Sequence, residues 1–128
     1  MPMQTQNKEN RLPLEQQRAR HAWEKGGEGV LAYGADYANT AKALPALIMN
    51  SGLMQVMAFC HDKGGRHEKV AEHLRDWLHI TCGTPQEFAP FMEALMQADA
   101  AEFQRINAEA MAWLKWLRQM AAARGGNS

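Results

Sequence analysis

Between Asp99 and Arg118 the apolar residues Phe103, Ile106, Ala110, Trp113, Leu114 and Leu117 recur at intervals of three and four. That spacing puts them on one face of a helix long enough to support a whole domain. No segment of the chain shows the sustained alternation that a half-buried strand needs, so the pattern predicts an all-α protein: a compact bundle of about six helices with a long C-terminal helix.

The remaining helices follow from stripes and stop signals. A first helix is expected from about Pro13 to Lys25, ending at Gly26-Gly27, and a second from about Tyr33 to Leu44, where Pro45 would kink or restart it before Asn50-Ser51-Gly52. Leu53, Val56, Met57 and Cys60 mark a third helix over 53–63, closed by a left-handed cap at Gly64-Gly65; Val70, Leu74, Trp77 and Leu78 mark a fourth over 67–79. Thr84-Pro85-Gln86-Glu87 reads as a capping box that starts a fifth helix carrying Phe88, Phe91, Met92, Leu95 and Met96, with Pro90 in its first turns. Asp99-Ala100-Ala101-Glu102 is a second such box, starting the long sixth helix, which Gly125-Gly126 closes. Residues 1–12 are polar and aperiodic, a loosely ordered tail ahead of a single domain over 13–128.

Charge excludes several function classes. The chain has 14 Lys+Arg and 14 Asp+Glu, so it cannot coat nucleic acid by bulk charge. The signs are segregated, however: residues 84–102 hold four acids and no base, whereas 103–128 hold Arg105, Lys115, Arg118 and Arg124 against Glu109. The expected molecule is electrically two-sided. The longest apolar run, Leu44 to Met49, is far below the ~20 residues of a membrane span, and the polar stretch Met1 to Asn10 is no signal peptide, so a cytoplasmic protein is expected. Cys60 and Cys82 stand alone, without a Cys-x-x-Cys, and are expected to be reduced, partly buried thiols.

Chemistry finds little support in the spacing. Gly27-Glu28-Gly29-Val30-Leu31-Ala32 fits G-x-G-x-x-A, but a helix stands where a strand is required, which leaves a flexible loop as the better reading. His61, His67, His73 and His79 fall at six-residue intervals; six residues of helix turn through 600°, so His73 and His79 do not face one another, and Asp76 would complete only a two-ligand site. Cys60 and His61 are helical neighbours pointing about 100° apart and make no thiolate–imidazole pair. No catalytic residues, no metal, no cofactor and no small-molecule substrate are expected.

Binding features are better supported. Arg18, His21 and Lys25 form one stripe on the first helix, with Trp23 nearly opposite; a core-facing Trp23 would turn the stripe outward. Between Tyr37 and His61 there is no acid, and Lys42 stands among Asn39, Thr40, Asn50, Ser51 and Gln55, a surface that suits a phosphate backbone or another protein. Trp116 projects away from the apolar stripe of the long helix, near Arg105 and Ala112, and is expected to be an exposed anchor for a partner subunit.

Three segments in order, Arg18 to Glu24, Leu44 to Phe59 (Leu-Pro-x-Leu-Ile-x-x-x-Gly-Leu-x-Gln, then Ala-Phe) and Ala112 to Arg118, make the chain resemble the small subunit of type III-B (Cmr) CRISPR effector complexes over most of residues 13–123. The resemblance implies a non-catalytic helical protein that stacks with further copies of itself into a minor filament beside backbone and large subunits. There it would help hold the duplex of guide RNA and target RNA for cleavage by other subunits. On this expectation Arg18, Lys42, Lys63, Arg66, Lys115 and Arg118 contact phosphates, with Asn50 and Gln55 as neutral donors. Trp116, Arg105, Glu87 and Glu93 contact protein. The contrasting expectation is a helical adaptor that binds protein alone.

Overall fold

The computed structural model describes residues 12–126. The described residues form six α-helices, α1 (Leu14–Tyr33), α2 (Ala35–Ser51), α3 (Leu53–Lys63), α4 (Gly65–Cys82), α5 (Phe88–Gln97) and α6 (Ala100–Ala121), and a π-type turn, Ala122–Gly126, follows. There is no strand among the described residues. The expected tail at 1–12 lies, up to residue 11, outside them. At 22 residues α6 is the longest element and buries Ile106, Ala110, Trp113, Leu114, Leu117 and Ala121, the face that its periodicity predicts. Asp99 caps it, accepting from the Glu102 backbone N–H at 2.8 Å.

The first helix departs most from expectation. Gly26 and Gly27 do not end it; α1 runs on to Tyr33, through the segment expected as a loop, and breaks only at Gly34 (φ 60°). The glycines serve packing instead. A Cβ on Gly26 would lie 3.1 Å from the Ala121 backbone nitrogen, and one on Gly29 would overlap the Tyr37 ring. They let α6 and α2 approach closer than any side chain would allow, which offsets their poor helix propensity of about 1 kcal/mol each. The same small face, with Ala22, turns α1 so that Arg18 and His21 point inward and Trp23 outward, 43% exposed, the reverse of the expected orientation.

Elsewhere the corrections are local. Pro45 sits inside α2 without ending it, and the break falls at Gly52 (φ 86°) as expected. Thr84 does not cap α5, which begins at Phe88 with Glu87 in the capping position and Pro90 in its first turn. The buried Arg75 explains this: its Nε donates to the Gln86 carbonyl at 2.8 Å, while His79 Nδ1–H donates to the Thr84 carbonyl at 2.8 Å. Both bonds tie residues 84–86 to α4 ahead of the helix. Gly29→Ala is expected to destabilise the fold by about 1–3 kcal/mol through overpacking against Tyr37, although alanine is the better helix former. Urea unfolding followed by circular dichroism measures this, and an unchanged midpoint contradicts the packing role.

Candidate functional site: spent and unspent charges

Charged side chains divide into those engaged inside the bundle and those left at its surface. Glu109 on α6 is the focus of the first group. Its Oε2 accepts from Arg18 Nε at 2.7 Å and from Trp77 Nε1 at 2.9 Å, and its Oε1 accepts from Arg18 Nη2 at 2.9 Å. Burial by itself would raise the Glu109 pKa, but the hydrogen bonds from Arg18 and Trp77 outweigh it and hold the carboxyl below its usual range. Arg18, named above as a phosphate contact, is therefore committed to the interior, a bidentate partner that joins α1 to α6.

A second cluster lies between α1 and α4. His21 Nε2–H donates to Asp76 Oδ2 at 2.7 Å, and its ring packs against Trp77 and Trp113 at centroid distances of 5.0 and 5.3 Å. The Tyr37 hydroxyl donates to His73 Nδ1 at 2.7 Å, leaving His73 Nε2 toward Glu28 Oε2 at 3.5 Å. These histidines are buried rather than solvated. Burial, with help from Lys25, pushes the His73 pKa down to about 4, and burial also lowers that of His21 despite Asp76. Above them opens a cleft of about 330 Å³ in which Lys25, Glu28, Lys69, Glu72 and Asp76 face one another. Lys25 and Lys69 pair with Glu28 and Glu72 at 3.4 and 3.0 Å. Among the described residues no three His, Cys, Asp or Glu side chains are grouped as a metal ion would need. Both cysteines are free, and burial raises the Cys60 thiol to about 11.

The surface cations are a different set. Lys42, Lys63, Lys115 and Arg118 are exposed, and none has a carboxylate within 4.0 Å among the described residues. Arg66 reaches Asp36 only at 3.8 Å between two exposed side chains, a contact worth at most about 1 kcal/mol. Asn50 and Gln55 are exposed on α2 and α3. Trp116 is not the free anchor expected; it is half-buried against the core and donates from Nε1 to Glu15 at 2.8 Å. Arg105 is exposed but paired with Glu102 at 2.9 Å, whereas Glu87 and Glu93 are exposed without an ion pair among the described residues. Trp23 and Arg124 carry no binding expectation from the sequence, whose pattern lets the indole face the core, yet the guanidinium lies over its exposed ring, 4.5 Å from the centroid. Gly27, whose lack of a side chain leaves that space, was the available signal.

Among the described residues the scaffold is all-helical, Arg18, His21 and Arg75 are paired with carboxylates inside it, and an outer set of cations has no carboxylate within 4.0 Å. Comparison with known proteins gives the family. The family model described as CRISPR-associated protein (Cas_Cmr5) matches residues 14–124. The chain is 27% identical over 107 residues to the CRISPR system Cmr subunit Cmr5 of Thermus thermophilus, covering 82% of this chain and 90% of that protein. The crystal structure of a CRISPR-associated Cmr5 family protein, also from Thermus thermophilus, matches with a TM-score of 0.75 at 26% identity, over 88% of this chain and 97% of that one. The chain belongs to the Cmr5 family, the small subunits of type III-B (Cmr) CRISPR systems. No helix among the described residues is long and apolar enough to cross a membrane.

The buried histidines set a pH dependence. A neutral His73 in the fold, against an unfolded pKa near 6.5, contributes stability that is complete above about pH 6.5 and is lost as pH falls toward 4. Denaturant midpoints measured from pH 8 down to 4 are expected to be level and then to decline over that interval. His73→Gln is expected to be less stable at neutral pH, with a shallower decline; an equal slope in both proteins contradicts the assignment.

Proposed function

We propose that the protein is a non-catalytic small subunit of a type III-B ribonucleoprotein. In this reading its copies stack into a minor filament alongside the backbone and large subunits and help hold the guide–target RNA duplex, while other subunits cut the target. The observation that carries the reading is the pairing of a family match over residues 14–124 with surface cations that no internal carboxylate neutralises.

Lys42, Lys63, Lys115 and Arg118 are the phosphate contacts of this proposal, joined by Arg66, whose weak pair with Asp36 is easily exchanged for a phosphate. Asn50 and Gln55 serve as neutral donors. Arg18 drops out of the set, since freeing it would leave the half-buried Glu109 carboxylate uncompensated. Glu87 and Glu93 are the available acidic contacts for neighbouring subunits, with Arg105 and the exposed edge of Trp116 as secondary ones. A net charge of zero makes single-copy affinity low, so retention of RNA rests on several copies acting together.

The test is purification from the native host through a tag at the N-terminus. A ribonucleoprotein with short guide RNAs and several larger subunits is expected. Replacing Lys42, Lys63, Lys115 and Arg118 together by Glu should leave assembly intact while weakening target-RNA capture, most at low salt and with a shallower salt dependence than the unaltered protein. Recovery of protein partners without RNA would instead establish the adaptor.

A further inference from the structure

Three of the four tryptophans are explained by packing. Trp113 is fully buried, Trp77 is 2% exposed and bonded to Glu109, and Trp116 is half-buried and bonded to Glu15. Trp23 has no such role: its ring nitrogen has no hydrogen-bond partner among the described residues, and 43% of the residue is exposed. Nor is it a bare surface side chain. Arg124, from the turn after α6, lies over the ring at 4.5 Å from the centroid and donates from Nη1 to the Trp23 carbonyl at 3.2 Å. One turn further along α1, Gly27 provides the space, since a Cβ there would stand 2.5 Å from the guanidinium carbon.

The result is a π-surface and a positioned cation held side by side by two distant parts of the chain. Arg124 has no carboxylate within 4.0 Å among the described residues, so none of these neutralises its charge. We infer that Trp23 and Arg124 form a stacking site for an unpaired nucleobase of single-stranded RNA. The base lies on the indole surface that the guanidinium leaves uncovered, and Arg124 faces the neighbouring phosphate. Base stacking on an aromatic ring is tolerant of sequence and is reinforced by an adjacent arginine. Burial of the same pair in a protein interface would require a carboxylate to match Arg124 or would strand its charge, whereas a phosphate supplies that match along the whole strand. The inference rests on the RNA-holding role proposed above but concerns residues outside that cation set.

The experiment uses the full chain and a fluorescein-labelled single-stranded oligouridylate, with binding followed by anisotropy across a salt series. Trp23→Ala is expected to weaken binding roughly 5- to 100-fold with the salt slope unchanged, and Trp23→Phe to retain most of the affinity. Arg124→Gln is expected to lower the slope by about 0.7, one phosphate on a single strand. Matching circular dichroism spectra establish that the variants are folded. Undiminished binding by Trp23→Ala, equal loss in both Trp23 variants, or no binding by the unaltered chain at low salt overturns the site. So does loss of a protein partner by Trp23→Ala with RNA affinity intact, which would make the pair a protein contact. Co-purification of the unaltered chain in the ribonucleoprotein is scored separately, so failure of the stacking site is distinguishable from failure of the subunit assignment.

Discussion

The carboxylate of Glu109 fixes how the first helix sits, and most of the molecule's surface chemistry follows. It binds Arg18 of α1 through two nitrogens and the indole of Trp77 on α4, so one side chain on the central helix ties three helices together. A partly buried ion pair of this kind is weak evidence for net stability. Its stronger effect is on orientation: any rotation of α1 that exposed Arg18 would strand Glu109. The glycine face reinforces the choice, because Gly26 and Gly29 admit Ala121 and Tyr37 only in this register.

That orientation sorts the charges by function. The basic stripe Arg18, His21 and Lys25 is used inside or at the edge of the bundle, against Glu109, Asp76 and Glu28, and is not an outer binding face. Cations without a carboxylate partner among the described residues remain on α2, α3 and α6 and on the turn after α6. A chain of zero net charge thus keeps exposed cations without carboxylate partners because, among the described residues, the acids other than Asp62 are engaged in pairs and caps or gathered in 84–102. Turning α1 this way also brings Trp23 out to meet Arg124.

The fold class was legible because helical period is a property of each segment alone: the stripes of α3, α4 and α6, and the caps at Asp99 and Gly52, needed no partner to be read. The errors share one cause. Gly26-Gly27 has the local chemistry of a stop, Trp23 that of a core residue and Thr84 that of a cap. In each case a distant group decides: the Ala121 backbone, the Arg18–Glu109 pair and the Arg75 bond to Gln86. Of the candidate site, the exposure of Lys42, Lys63, Lys115 and Arg118 was legible from charge and helix face, whereas the engagement of Arg18 was not, since its partner stands 91 residues away.

The division between spent and unspent charge is most directly tested by lysine acylation footprinting of the assembled ribonucleoprotein, with and without target RNA. Lys42, Lys63 and Lys115 are predicted to lose reactivity when the target is bound, while Lys25 and Lys69, paired within the cleft, keep theirs unchanged. Undiminished reactivity at the three surface lysines, or protection confined to Lys25 and Lys69, would contradict the account.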